Sequence, residues 1–263
     1  MINISLSINY LAYLFRAKGL HSLHAPFAYE LAKSVLYDHH NYPEYAECHR
    51  QRKRLLNNRN VIETVDFGTR AGNKPFATYR ERVKNLVKQR SHSERCNRLL
   101  FRFSRYFKPD YVLELGTAAG LSAAALALGN PKAKVYTLEG CASIASIAEG
   151  TFERLGITNT ELVIGNFNNV LPEVIANVPK LDLVFFDGNH QKIPTLDYFH
   201  HCLTKAHDES IFIFDDIHWS KDMDEAWKII QQYESVTLSI DLFQFGIVFF
   251  RKGLSKQHFT LRK

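Results

Sequence analysis

The chain places an acid and two glycines directly after an apolar segment, in a spacing that could hold a nucleoside. Residues 111–115 predict a buried strand that carries Glu114, and Gly116 and Gly120 follow before an alanine-rich segment predicted to be a helix. The next predicted strand ends at Glu139, whose carboxylate could accept hydrogen bonds from two ribose hydroxyls. This layout is typical of sites for nucleoside-bearing cofactors.

The glycine spacing indicates which cofactor. A dinucleotide site prefers G-x-G-x-x-G, because the pyrophosphate must touch the backbone. Here the pattern is E-x-G-x-x-x-G, with Glu114 before the first glycine. No phosphate needs to be cradled, and the acid would face a ligand with a positive amine. S-adenosylmethionine fits both conditions.

Further candidates for cofactor contacts lie at the ends of the later strands. Asn166 could hydrogen-bond an adenine edge, and Phe167 could pack on the adenine face. Other roles stay open: Glu114 could cap the following turn, Glu139 could be a surface acid, and Phe167 could belong to the core. The predicted cofactor residues are Glu114, Gly116, Thr117, Gly120, Ser122, Glu139, Asn166, Phe167 and Asp187.

Carboxylates at two predicted strand ends indicate a possible metal. Asp187, Asp215 and Asp216 each follow an apolar strand, and three close carboxylates repel one another unless a cation or a basic substrate lies between them. Mg²⁺ prefers such oxygen ligands, and it could lower the pKa of a substrate hydroxyl. The alternative is that these aspartates are caps or cofactor contacts.

Two histidines and Asp187 are candidates for proton transfer. His190 and His218 lie three residues beyond Asp187 and Asp215, respectively. Histidine titrates near neutral pH and is the commonest general base, so either could deprotonate an acceptor. The alternative for each is a structural loop histidine.

The elements that position these residues alternate along the chain. This alternation predicts an α/β fold, Rossmann-like and doubly wound, with a mostly parallel sheet and helices on both faces. Two closing strands near 236–241 and 245–251 are close enough to form a hairpin, so one runs antiparallel. Strands are also predicted at 111–115, 134–138, 161–164, 181–186 and 210–214, and helices at 120–129, 141–155, 168–177, 194–206 and 221–233.

Charge divides the chain at the start of the first of these strands. Residues 1–110 hold 20 Lys and Arg against 9 Asp and Glu, a net charge of +11, whereas residues 111–263 hold 13 against 18, a net charge of −5. We therefore predict a basic, mainly helical N-terminal extension at 1–108 and a cofactor-binding domain at 109–263. The extension could cover the substrate or form a homodimer contact, and nucleic acid is an alternative partner. The polar loop at 66–75 is an interdomain connection or a flap.

The remaining composition favours a reducing, aqueous compartment. Cys48, Cys96, Cys141 and Cys202 are far apart and form no C-x-x-C motif, so a cytoplasmic protein without disulfides is expected. The first 15 residues are a poor secretory signal, and no segment is long and apolar enough to predict a membrane span.

Residues 109–251 resemble class I S-adenosylmethionine-dependent methyltransferases. The resemblance is carried by V-L-E-L-G-T-A-A-G at 112–120, V-Y-T-L-E at 135–139, L-D-L-V-F-F-D-G-N-H at 181–190 and I-F-I-F-D-D at 211–216. It is nearest to small-molecule O-methyltransferases related to catechol O-methyltransferase. The whole chain also resembles a group of uncharacterised bacterial proteins with this domain.

The resemblance implies a seven-stranded sheet whose last strand is inserted antiparallel. By position, Glu114, Gly116 and Gly120 would frame the methionine part of the cofactor, and Glu139 would bind its ribose. Asp187, Asp215 and Asp216 would match the metal ligands, although the third is commonly Asn in the subgroup. The expected activity is O-methylation of a small molecule, with RNA methylation or non-catalytic cofactor binding as alternatives.

Overall fold

The computed structural model describes residues 4–66, 76–253 and 255–262. Apart from Asp66, the loop predicted at 66–75 lies outside these residues. The chain divides into two compact units. The first unit comprises residues 1–38 and 179–263, and the second unit comprises residues 39–178.

Three parallel strands form the centre of the second unit. They are β3 (Tyr111–Leu115), β4 (Lys134–Glu139) and β5 (Thr160–Ile164), with β4 in the middle. Helices α6 (Leu121–Gly129), α7 (Ala142–Arg154) and α8 (Phe167–Asn177) follow them in turn. Because the strands are parallel, their carboxyl ends lie at the same edge.

The part of the second unit that precedes β3 contains a hairpin as well as helices. Strands β1 (Val61–Asp66) and β2 (Ala77–Arg82) pair antiparallel between α3 (Pro43–Asn57) and α4 (Val83–Arg90). The N-terminal extension, predicted to be mainly helical, therefore contains strands at 61–66 and 77–82. The alternating exposure of β2 side chains is that of a strand with one covered face.

Helix α5 (Glu94–Phe107) packs directly against α6, the helix that follows β3. A Cβ atom on Gly129 of α6 would lie 2.4 Å from the Phe101 carbonyl oxygen, so only glycine lets the two helices approach this closely. The Ser104 hydroxyl also donates to the Leu126 carbonyl at 2.6 Å. The two compact units divide near residues 38 and 178, and the domain boundary near residue 108 stays a prediction.

The first unit contains the remaining strands. The parallel pair β6 (Leu183–Phe186) and β7 (Ile211–Phe214) is followed by β9 (Gly246–Phe249), which pairs antiparallel with both β7 and β8 (Leu238–Asp241). This confirms the α/β fold with a hairpin at 236–251 and an inserted antiparallel strand. The sequence did not predict β10 (Gln257–Thr260), which pairs parallel with β8.

The first unit also contains helical segments. α9 (Lys192–Leu203) follows β6, and α10 (Lys221–Gln232) follows β7. Phenylalanines dominate the core, among them Phe185, Phe199 and Phe212, each fully buried. The N-terminal elements are α1 (Ile4–Arg16), a 3₁₀ turn (Leu20–Ser22) and α2 (Pro26–Leu31), which continues as a π-helical turn (Ala32–Leu36). Within the described residues, no helix has the length and apolarity that crossing a membrane requires.

Candidate functional site

The glycine turn after β3 is fastened to the end of β4. The N–H groups of Gly116 and Thr117 both donate to the Leu138 carbonyl, at 3.0 and 3.1 Å. Gly116 has a φ of 106° and Gly120 a φ of 76°, values that disfavour a side chain. Ala118, between them, also has a positive φ of 45°. The turn is thus a strained, well-anchored loop.

Gly120 is required by packing as well as by its backbone angle. A Cβ atom there would lie 3.0 Å from Phe152 Cε1 and 3.1 Å from the Cα of Ala148, both on α7. The glycine allows the start of α6 to rest directly against α7. Its place in the motif therefore has a structural cause that is independent of any ligand.

Glu139 connects the ends of β3 and β4. Its Oε2 accepts the N–H of Ala118 and its Oε1 accepts the N–H of Cys141, each at 3.0 Å. Burial raises the pKa of the Glu139 carboxyl above its usual value, although these N–H groups and the charge of Arg90 act to lower it. Each carboxylate oxygen has a second lone pair, so Glu139 can still accept hydroxyl donors.

Glu114 is fully buried, and a chain of hydroxyl groups holds its carboxylate. Glu114 and Thr137 are register partners on β3 and β4, so their side chains lie side by side. The Thr137 hydroxyl donates to Glu114 Oε2 at 2.5 Å, and it lies 2.6 Å from the hydroxyl of Thr117. The sequence predicted Glu114 and Thr117 as site residues, but it did not indicate Thr137.

The predicted adenine-side residues begin α8. Asn166 caps this helix, and its Oδ1 accepts the N–H of Asn168 at 3.0 Å. Phe167 is the first residue of the helix and is only partly buried, so it is not a core residue. Ser122, in the first turn of α6, is 6 % exposed. These three positions stay predictions for cofactor contact.

In the first unit, the parallel pairing of β6 and β7 brings two predicted aspartates to one edge. Phe186 and Phe214 are register partners, and Asp187 and Asp215 follow them directly. The N–H of Asp215 continues the ladder by donating to the Phe186 carbonyl at 2.9 Å. The sequence predicted this juxtaposition from strand ends alone.

A histidine joins the two consecutive aspartates. One possible ligand atom from each of His190, Asp215 and Asp216 lies within 4.8 Å of the others, which is close enough to bind one metal ion. His190 and Asp216 have positive φ angles of 20° and 53°. His190 Nε2 lies 3.8 Å from Asp187 Oδ1, whereas its Nδ1 is buried without a hydrogen-bond partner among the described residues. The sequence had predicted Asp187, not His190, as the third ligand.

His218 is held between two carboxylates that the sequence did not indicate. Its Nδ1 lies 2.5 Å from Asp224 Oδ1, and its Nε2 lies 2.9 Å from Asp241 Oδ2. Desolvation acts to lower the pKa of the imidazole, but hydrogen bonds and charge from the two aspartates raise it overall. With both ring nitrogens occupied, His218 is poorly suited to accept a substrate proton, which disfavours its predicted role as a general base.

Comparison with known proteins supports a functional class. Residues 113–217 match a family model described as a methyltransferase domain. Among curated proteins, a search finds no match.

Solved structures match over most of the chain. The O-methyltransferase TomG from Streptomyces achromogenes, described in complex with SAM, is 16% identical, with a TM-score of 0.57, and covers 85% of this chain and 95% of its own. The SAH-bound methyltransferase PaMTH1 from Podospora anserina is 16% identical, with a TM-score of 0.59 and coverage of 88% and 97%. The Bacillus cereus O-methyltransferase, described in complex with SAH, is 18% identical, with a TM-score of 0.57 and coverage of 83% and 94%. Residues 113–217 therefore resemble a methyltransferase domain, and the chain has the fold of these methyltransferases.

Proposed function

We propose that this protein transfers a methyl group from S-adenosylmethionine to an oxygen atom of a small-molecule acceptor. The observation that carries the proposal is the position of Glu139, which binds the glycine turn after β3 and the start of the segment after β4. The description of structural neighbours as O-methyltransferases, with SAM or SAH bound, supports the choice of donor and of the acceptor atom.

Residues of the second unit would bind the methyl donor. Glu139 would accept hydrogen bonds from the two ribose hydroxyls, because its backbone contacts leave a lone pair available on each carboxylate oxygen. Glu114, kept in place by Thr137, would supply negative charge toward the amino group of the methionine part. The open backbone at Gly116 would let the donor approach closely.

Residues of the first unit would act on the acceptor. His190 would take the acceptor proton, and Asp187, 3.8 Å from its Nε2, would orient the ring and stabilise the imidazolium. The acceptor oxygen attacks the methyl carbon, an O–C bond forms as the S–C bond breaks, and the sulfonium becomes a neutral thioether. The protein contributes alignment and exclusion of water.

The donor set of His190, Asp215 and Asp216 also fits a divalent cation. The buried Nδ1 of His190 is a nitrogen ligand without another partner in the described chain, and the two aspartates supply oxygens. The imidazole suits Fe²⁺ or Zn²⁺ and the two carboxylates also suit Mn²⁺, whereas Mg²⁺ prefers oxygen ligands alone. A bound cation would stabilise the deprotonated acceptor oxygen. If His190 binds such a cation, it is not available as the base, and the two roles exclude one another.

Calorimetry and turnover test the proposal separately. S-adenosylhomocysteine should bind the wild type, and Glu139→Ala should weaken that binding. Glu161→Ala is the control, because Glu161 is an exposed residue of β5 that forms an ion pair with Lys134, and its loss should leave the affinity unchanged. Turnover of a panel of phenols and other hydroxyl compounds is then followed by methyl-product mass spectrometry. Equal affinity of both variants and the wild type would remove Glu139 from the site. Tight binding without methylation of any acceptor would favour a non-catalytic role.

A further inference from the structure

The cluster around His218 connects four segments of the first unit. His218 lies in the loop after β7, two residues beyond Asp216. Asp224 lies in the first turn of α10, and Asp241 is the last residue of β8. Asn9 of α1 reaches the same cluster, because its Nδ2 donates to Asp224 Oδ2 at 3.2 Å.

The carboxylate oxygens in this cluster all have partners. Asp224 uses Oδ1 for His218 and Oδ2 for Asn9. Asp241 uses Oδ2 for His218 and Oδ1 for the N–H of Phe243, at 2.8 Å. A buried polar network is rigid when every member is satisfied, so this one fixes the position of the loop that carries His218.

An aromatic layer covers the network from the side of α1. The ring of Phe243 lies 5.4 Å from that of His218, at an interplanar angle of 30°. Tyr10 and Tyr13 of α1 pack against Phe243 at 4.8 and 5.3 Å between ring centroids. Helix α1 is thus joined to the network by both a hydrogen bond and ring contacts.

The loop fixed in this way contains Asp215 and Asp216, which together with His190 form the donor set that would hold a cation at the acceptor oxygen. It runs from Asp215 to Trp219, and its turn is closed by the N–H of Trp219, which donates to the Asp216 carbonyl at 2.9 Å. His218 is one residue before Trp219, so displacement of the His218 ring moves the turn directly. Trp219 itself is 53 % exposed and therefore reports on the position of the loop.

We propose that His218 is a positioning residue: held by Asp224 and Asp241, and covered by helix α1, it sets the place of Asp215 and Asp216 for the acceptor reaction. This inference rests on the proposed function for its kinetic consequence, but not for its structural one. It gives the N-terminal helix a role in methyl transfer that does not require contact with the acceptor.

Two readouts test the role of His218 in the full-length protein. In His218→Gln, which cannot bridge both carboxylates, acrylamide should quench Trp219 fluorescence more strongly than in the wild type, since the other tryptophan, Trp227, is only 3 % exposed. For an acceptor that the wild type methylates, kcat should fall about tenfold or more, because small misplacements of reacting groups are costly. The Kd of S-adenosylhomocysteine should not change.

A matched control is available in the same unit. His207 also contacts a carboxylate, Asp182 Oδ1, at 2.9 Å, but Asp182 precedes β6 and so lies at the opposite strand ends from Asp215. His207→Gln should leave both quenching and kcat unchanged. Asn9→Ala removes only the hydrogen bond from α1, and it should change both readouts in the same direction as His218→Gln but by less.

The outcomes separate this inference from the proposed function. The inference would be overturned if a folded His218→Gln variant had the quenching and the kcat of the wild type. It would also be overturned if His207→Gln changed both readouts as much as His218→Gln does. If His218→Gln does not fold, Asn9→Ala decides alone, and unchanged quenching there rejects the role of α1 and with it the inference. If the wild type methylates no acceptor, the proposed function fails, while the quenching experiment still tests the fixed loop.

Discussion

Glu139 Oε2 accepts the N–H of Ala118 at 3.0 Å, so that an acid at the end of β4 holds the strained turn that follows β3. The carboxyl is partly buried and lies against backbone donors on both of its oxygens. In the proposed site, this single side chain would have two tasks, to shape the turn and to present acceptors to a ribose. This double use makes its protonation state important for the donor.

Cofactor affinity should depend on pH through Glu139. Because burial raises the pKa of its carboxyl above the usual value of 4.5, protonation begins at a higher pH than for an exposed glutamate. Protonation removes an acceptor, so affinity for S-adenosylhomocysteine should fall as the pH is lowered through this raised pKa. Calorimetric Kd values across pH in wild type and Glu139→Gln check this, and the variant should bind weakly with a flatter profile. A parallel decline in both proteins would assign the effect to another group.

The raised pKa of Glu139 should affect protein stability and cofactor affinity in opposite directions as the pH falls. The folded protein binds the Glu139 proton more tightly than the unfolded chain does, so the contribution of this group to stability is present at low pH. It is lost as the pH rises through the folded-state pKa. Acid thus favours the fold at this position while it disfavours the ligand, which is the compromise expected of a site residue.

Gly120→Ala should destabilise the protein by about 2 kcal/mol, because the new methyl group overpacks the contact with α7 and the residue keeps a positive φ. Gly156→Ala is the matched variant, since Gly156 has a φ of 64° but nothing lies within 4 Å of an added Cβ. It should cost only the backbone strain, about 1 kcal/mol. Urea denaturation measures both free energies of unfolding. Equal losses would show that α7 yields and that packing does not require this glycine.

Strands and helices with a strong hydrophobic periodicity could be predicted from the sequence. Contacts between residues far apart in the chain could not. Alternating apolar strands and helices set β3 to β9 within a few residues of their observed bounds. The hairpin of β1 and β2 was missed because its strands are short and flank a polar segment, although the β-branched residues Val61, Ile62, Thr64 and Val65 favour a strand.

Contacts between distant positions account for the features of the candidate site that the sequence did not indicate. Strand ends are adjacent by topology, so Asp187 and Asp215 could be placed together from the sequence. The pairing of His218 with Asp241 spans 23 residues and depends on the insertion of β9, which brings the end of β8 to that loop only in the folded chain. The association of His190 with Asp215 likewise depends on unusual backbone angles that residue types do not reveal.

Thr137→Val should destabilise the fold and weaken donor binding together. The substitution removes the 2.5 Å hydrogen bond to Glu114 and leaves a buried carboxylate with one donor fewer, a loss of about 1–3 kcal/mol. Thr160→Val on β5, at a half-buried position, is the control and should be near neutral. Chemical denaturation and calorimetry with S-adenosylhomocysteine give the two quantities. Wild-type stability in Thr137→Val would mean that Thr137 does not support Glu114.

The cysteines should resist alkylation in the native protein. All four are thiols, and Cys96, Cys141 and Cys202 are buried. Burial, with a smaller effect of nearby glutamates, raises the pKa of the partly exposed Cys48 thiol to about 11, so little of it is thiolate at neutral pH. Iodoacetamide at pH 8, followed by intact-mass spectrometry, should modify the native protein slowly and all four sites in denaturant. Rapid native labelling would show that Cys48 is more solvated than this geometry allows.

The alternative role of His190, as a metal ligand, predicts that a divalent transition-metal ion binds through His190 and the two aspartates beside it. One possible ligand atom from each lies within 4.8 Å of the others. Calorimetric titration of the protein with Mn²⁺ should show one site, and His190→Gln and Asp216→Ala should each weaken it, because the first removes the imidazole and the second removes a carboxylate. His201→Gln, on the far end of α9, is the control and should bind Mn²⁺ like the wild type. Undiminished binding in His190→Gln would exclude the imidazole from the site and return His190 to the role of general base.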